Sequence, residues 1–243
     1  MRIEYHILWN NPETLLKVLF PTHYNGSHAR FGSPFGSTLR SQQPGEPYDE
    51  AQWEVAASRW AMVADDGGQD GLFVVTEAKF GWTARSGVLG LSLLRSAALP
   101  VSGQGNIKDS THRDFSDLKP HVIKVALGRF SPGAPREELP AALADCLHTR
   151  PVAYRGSPIS SGFLGLQGGE SLVPSWVKPG EDGQMDLRLH ESLGRRGRAT
   201  IKLAEGWTLR RTNLAGEVWP VQPRRNTFDF NPYEVITLRL LPD

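Results

Sequence analysis

The sequence predicts an all-β protein, an antiparallel β-sandwich followed by a smaller C-terminal β-sandwich with one short helix, and three observations predict it. Most apolar runs are short and alternate with period two, as in Met185, Leu187 and Leu189 against Asp186, Arg188 and His190. Two runs, Leu72 to Val75 and Leu89 to Leu94, are apolar on both faces, as central strands covered on each side are. The 25 glycines and 18 prolines among 243 residues supply the turns that many short strands need.

In chain order, Ile3, Tyr5 and Ile7 give the first alternating strand, and the two fully apolar runs give central strands after it. Ile123, Val125 and Leu127 repeat the alternation. Leu139, Leu143, Cys146 and Leu147 break it with helical spacing after Pro132 and Pro135, so a short helix is expected from about Arg136 to His148. The stretch from Pro151 to Gly169 is rich in Pro, Gly and Ser and reads as an inter-domain connection. A boundary near residue 160 follows, with domains at 1–160 and 161–243. Ala199, Ile201 and Leu203, then Ile236, Leu238 and Leu240, give strands of the second domain.

Lys plus Arg number 27 against 26 Asp plus Glu, so the long-range field is nearly neutral and draws neither nucleic acid nor anionic lipid. Arg2, Glu4, His6, Glu13 and Lys17 interrupt any apolar run near the start, which argues against a signal or a membrane span. Cys146 has no intramolecular partner for a disulfide, which suits a reducing, cytoplasmic setting.

Few residues point to chemistry. Glu77, Glu181, Asp182 and Glu191 lie beside turns, but Glu181-Asp182-Gly183 is also an ordinary acidic hairpin turn and none has an identifiable partner. The histidines His6, His23, His28, His112, His121, His148 and His190 are scattered without metal-ligand spacing, so no metal is expected within the chain. There is no nucleophile elbow, and Gly32 to Gly36 lacks the lysine of a phosphate loop. Gly194-Arg195-Arg196-Gly197-Arg198 reads as a solvated turn or as a docking site for an anion or domain. In Glu77-Ala78-Lys79-Phe80-Gly81-Trp82, two aromatics and a cation share a glycine-bearing turn. Sugars offer an apolar C–H face and hydroxyls, so this turn suits a sugar; packing of Phe80 and Trp82 at a sheet end suits it equally.

At these residues the sequence resembles bacterial α-mannosidases of glycoside hydrolase family 38. Glu77 to Trp82 followed by Leu91-Ser92-Leu93-Leu94-Arg95-Ser96 is similar to the family's NDCKYGY and LSLLRSP. Phe35-Gly36 with Arg40 is similar to FGxxxR, and Trp53-Glu54-Val55 with Arg59-Trp60 to RFEVPAHRW. Val177 to Gly183, Leu187 to Glu191 and Gly194 to Thr200 are similar to VKPAEDG, LRLYE and GRRGRAT, and Pro232 to Leu238 to PFEIRTL. Glu77 and Phe80 stand where the pattern has Asn and Tyr, and His190 where it has Tyr.

The resemblance covers nearly the whole chain and implies only the C-terminal part of the family's architecture: a mutarotase-like supersandwich portion, starting partway through its domain, and then the small sandwich. The nucleophile, the acid/base residue and the zinc ligands of the family belong to an N-terminal barrel, so this chain is expected to have no catalytic residue, no cofactor of its own and no activity alone. Lys79, Phe80 and Trp82 are implied to lie near the sugar site, reached by an α-mannoside or oligosaccharide through the catalytic domain. Surfaces meant for absent strands and for the barrel are expected to pair in a homodimer. The competing reading is a free-standing carbohydrate-binding or mutarotase-like sandwich.

Overall fold

Residues 1–51, 54–68, 70–99, 114–153, 155–156 and 164–243 are described by a computed structural model of the chain; Trp53, His112 and the boundary expected near residue 160 lie outside them. The alternating stretches form antiparallel strands throughout. The early strands are β1 (Arg2–Leu8), β2 (Leu15–Pro21), β3 (His28–Ser33), β4 (Gly36–Ser41), β5 (Val55–Ala56) and β6 (Trp60–Ala64). Then come β7 (Gly71–Thr76), β8 (Gly81–Arg85), β9 (Val88–Arg95) and the long β10 (Pro120–Phe130). They make a six-stranded sheet in the order β1-β10-β7-β6-β3-β4 and a four-stranded sheet in the order β2-β9-β8-β5.

The doubly apolar runs take the inner places expected of them. β7 pairs with β10 on one side and β6 on the other, and β9 lies between β2 and β8. Val74, Val125, Trp82, Leu89 and Leu91 have no exposed surface and join in one core, so the two sheets pack face to face as a sandwich.

The late strands are β11 (Leu164–Gly168), β12 (Leu172–Pro179), β13 (Met185–Glu191), β14 (Gly197–Leu203), β15 (Trp207–Thr212), β16 (Thr227–Phe230) and β17 (Val235–Pro242). They form sheets in the orders β12-β13-β17-β15 and β11-β14-β16. Leu187, Leu189, Ile236 and Leu238 from the first meet Ala199, Ile201, Phe228 and Phe230 from the second in a separate core. The chain thus divides into two compact units, and the second gathers Gly32–Thr38 and Gly133–Ala142 as well as Arg150–Asp243. A single cut of the sequence cannot capture these two upstream pieces.

The expected helix is split. A 3-10 turn covers Arg136–Glu138, and α2 runs over Pro140–His148. Leu139 between them is extended, with φ −78 and ψ 151, because a residue before proline is driven out of the helical region. Pro140 then opens α2, where its missing N–H costs nothing. This start turns Ala141 and Ala144 inward and leaves Cys146 exposed, so Cys146 does not join the buried stripe expected of it. A helix not foreseen, α1 (Pro47–Glu50), is one turn with Pro at its start and Asp49 and Glu50 at its positive end.

Arg136 has a role that helical spacing could not suggest. Its guanidinium donates to four carbonyls of the second unit: Nε to Leu172 at 2.7 Å, Nη1 to Leu166 at 3.2 Å, and Nη2 to Gly168 and Gly169 at 2.7 and 3.0 Å. Burial pushes its pKa down, the mark of a cation taken partly out of water to clamp the β11–β12 connection.

Candidate functional site

Glu77 to Phe80 connect β7 to β8 in the first unit, and the backbone on both sides is fixed. Thr76 N–H donates to the Arg59 carbonyl at 2.8 Å, and Ala57 N–H to the Phe80 carbonyl at 2.9 Å. Glu77 N–H donates to the Lys124 carbonyl at 3.4 Å, while Lys124 N–H donates to Glu77 Oε1 at 3.4 Å. His148 Nδ1 lies 3.2 Å from the Glu77 carbonyl and faces it as a donor. Arg59 in turn pairs with Asp145 and donates to the Ala144 carbonyl at 3.1 Å. At Gly81 a Cβ would sit 3.0 Å from the Ser92 side chain, so glycine lets β8 start against β9 without crowding it.

The three residues expected near a sugar separate on this frame. Phe80 is 53% exposed. Lys79 is half-buried, and its ammonium has no hydrogen-bond or ion-pair partner among the described residues. Trp82 is fully buried in the core, its indole N–H donating to the Ser58 carbonyl at 3.2 Å. A ring with no exposed surface stacks on no ligand, so the loop offers one cation and one aromatic face rather than a cation and two faces. Trp82 secures the strand behind them.

Glu77, Asp182 and Glu191 each have surroundings of their own. Glu77 braces β10, as above. Asp182 occupies a left-handed turn, φ 53, in the hairpin between β12 and β13. Glu191 is fully buried, and three backbone N–H groups donate to it: Leu193 to Oε1 at 2.9 Å, Gly194 to Oε2 at 2.7 Å and Tyr233 to Oε2 at 2.9 Å. With every oxygen engaged by backbone amides, Glu191 is a structural anchor. Among the described residues no three His, Cys, Asp or Glu side chains converge as metal ligands, so they do not fit zinc.

Residues far apart in sequence also converge in the second unit. The Phe35 ring meets His190 edge-on with centroids 5.7 Å apart, Ser37 Oγ donates to the Ser192 carbonyl at 2.7 Å, and the Ser175 hydroxyl lies 2.8 Å from His190 Nδ1. Phe35 and Tyr233 both adopt φ 57, a costly conformation for aromatic residues, and stay 49% and 41% exposed. Gly194, at φ +76, is obligatory beside Tyr233, whose hydroxyl would lie 2.6 Å from an added Cβ. Among sequence signals, only the family-like motifs flagged these positions together, and nothing local showed that they meet.

Comparison with known proteins accounts for both units. Residues 1–102 match the family 38 glycosyl hydrolase C-terminal domain, and residues 171–238 match the family 38 C-terminal beta sandwich domain. The chain is 32% identical to human alpha-mannosidase 2C1 over 261 residues, covering 99% of this chain and 23% of the human protein. It is 25% identical to alpha-mannosidase G of Dictyostelium discoideum over 259 residues, covering 98% of this chain and 22% of that protein. It therefore spans about a quarter of the length of these relatives. In fold it is similar to the crystal structure of an alpha-mannosidase from Enterococcus faecalis V583, with TM-score 0.73 at 14% identity over 98% of this chain and 27% of that one. Two C-terminal domain matches in chain order, and relatives aligned along its whole length, establish that the chain belongs to glycoside hydrolase family 38 and corresponds to its C-terminal β region.

Proposed function

We propose that this chain is the non-catalytic C-terminal module of a retaining, zinc-dependent α-mannosidase. The two carboxylates that break the glycosidic bond, and the zinc, come from a catalytic barrel outside this chain. Its own work is to wall one side of the sugar site and to support the barrel. Lys79 donates to substrate hydroxyls, Phe80 covers a sugar C–H face, and Trp82 holds the loop from within the core. The observation that carries the reading is the paired match to the family's two C-terminal domains, with a braced loop that leaves the Lys79 ammonium and the Phe80 ring available.

The test is a chimera in which this chain replaces the corresponding region of the Enterococcus faecalis enzyme. With an aryl α-mannoside, Lys79→Ala and Phe80→Ala are each expected to raise KM about tenfold. If neither substitution moves KM or kcat, the loop is not near the sugar.

β1 and β2 lie at sheet edges, and Leu15 and Leu19 on β2 are 47% and 57% exposed, which supports a homodimer joined at these edges. Light scattering at micromolar concentration tests it, and a strict monomer refutes it. No helix among the described residues is long and apolar enough to cross a membrane. The exposed, unbridged Cys146 suits the reducing cytoplasm, the compartment we assign.

A further inference from the structure

Three consecutive residues between β5 and β6 hold both ends of the loop that carries Lys79. Ala57 N–H donates to the Phe80 carbonyl at 2.9 Å, the Ser58 carbonyl accepts the Trp82 indole N–H at 3.2 Å, and the Arg59 carbonyl accepts Thr76 N–H at 2.8 Å. The backbone of this short segment therefore fixes where the chain leaves β7 and where it enters β8. Its one long side chain goes elsewhere. The Arg59 guanidinium reaches the second half of α2, where Nη1 donates to the Ala144 carbonyl at 3.1 Å and Nη2 pairs with the Asp145 carboxylate. That half, from Leu143 to Thr149, belongs to the first unit together with the loop.

One helical turn beyond Ala144, the helix returns the contact to the loop. His148 Nδ1 donates to the Glu77 carbonyl at 3.2 Å. The contacts thus close a ring that runs from the Arg59 side chain to α2, from α2 to Glu77, and from the adjacent Thr76 back to the Arg59 carbonyl. Arg59 enters this ring twice, by main chain and by side chain. Water competes for the exposed His148 contact, which holds only while its donor is kept in place. Arg59, with its side chain 25% exposed, and the buried Ala144 keep it there, and a cation near the end of a helix also meets the negative pole of its dipole. The remaining bonds of Glu77, both to Lys124, are long at 3.4 Å.

We propose that Arg59 is a positioning residue for the Lys79 loop, acting through α2 and His148. The inference rests on the reading of Lys79 and Phe80 as substrate contacts and adds a residue that touches no substrate. A lysine ammonium rides on a flexible four-carbon stem and is aimed only as well as the backbone beneath it. Lys79 has no partner of its own among the described residues to aim it, so the frame of the loop sets where its charge stands. Loss of Arg59 then weakens binding by less than loss of Lys79 does, and it does nothing more once both loop side chains are gone.

The test has two arms. In the purified chain, amide exchange followed by NMR compares the unaltered protein with Arg59→Ala, His148→Ala and His148→Asn. Exchange at the Thr76 and Glu77 amides is expected to quicken about tenfold in both alanine variants and to be restored by His148→Asn, whose NH2 group takes the place of Nδ1–H, while Leu89 and Leu91 in β9 stay unchanged. The His148 variants alter an exposed ring, so this arm stands even if Arg59→Ala does not fold. In the chimera with the Enterococcus faecalis enzyme, Arg59→Ala is expected to raise KM about fivefold with kcat within about twofold, and to add less than about twofold in the Lys79→Ala, Phe80→Ala background. Unchanged exchange in every variant, or an equal rise of KM in both backgrounds, overturns the proposal. If Lys79→Ala raises KM and Arg59→Ala does not, the positioning role falls and the substrate contact stands. If neither Lys79→Ala nor Phe80→Ala moves KM, the substrate contact itself falls and takes the positioning role with it.

Discussion

Glu191→Gln should unlock the second unit while leaving the first intact. Oε2 of Glu191 accepts from Gly194 at 2.7 Å and from Tyr233 at 2.9 Å, and Oε1 accepts from Leu193 at 2.9 Å. Glutamine keeps one oxygen, which turns to the Oε2 place to accept from Gly194 and Tyr233, and its NH2 group then faces the buried Leu193 N–H, donor against donor, while the two kept bonds lose their charge. Hydrogen bonds to a charged group contribute roughly 1.5–3 kcal/mol each. Losing one and weakening two, offset by no longer burying a charge, gives an expected loss of about 2–3 kcal/mol. That is a large share of the roughly 5–15 kcal/mol that holds a domain folded, and it should lower the melting temperature of this unit by roughly 10 °C or more. Calorimetry would measure the loss, and hydrogen exchange would locate it at the Leu193, Gly194 and Tyr233 amides. A change below about 1 kcal/mol, or one shared equally with the first unit, would refute the anchor role.

Other outcomes follow from the same structure. Arg136→Ala should destabilise the second unit by about 2–4 kcal/mol in chemical denaturation, and Arg136→Lys should recover little, because one ammonium cannot reach four carbonyls. Gly128→Ala should cost the first unit about 1–3 kcal/mol, read from its melting transition, since the new methyl meets the Phe73 ring. Asp70 should titrate near 2 by carboxyl NMR, and Arg129→Gln should move it back toward 3.8. Because the folded-state pKa is the depressed one, any stability from this pair is complete above about pH 4 and is lost as pH falls toward 2.

Much of the fold was legible because strand parity is a local signal. Leu187 and Leu189 face the core as their alternation requires, and the same parity carries Glu191 inward. Reading it by residue type alone put it beside a turn with no identifiable partner, whereas its charge is met by the backbone amides of Leu193, Gly194 and Tyr233. Trp82 is similar, since Trp82 and Ala84 alternate inward against Gly81, Thr83 and Arg85. The helix was legible from its spacing, but its start was not, because Pro140 acts on Leu139 rather than through the apolar pattern. The meeting of Phe35, His190, Gly194 and Tyr233, the four carbonyls around Arg136, and the pairing of Asp70 with Arg129 all join distant segments. Nothing in a local window encodes them.

The most direct test of the account is turnover. The purified chain should release no aryl alcohol from an aryl α-mannoside, with or without added zinc, because the proposed reading places both catalytic carboxylates and the zinc in a barrel outside this chain. A robust, zinc-dependent rate from the pure chain would contradict a non-catalytic module and would mean that its residues hold a catalytic centre.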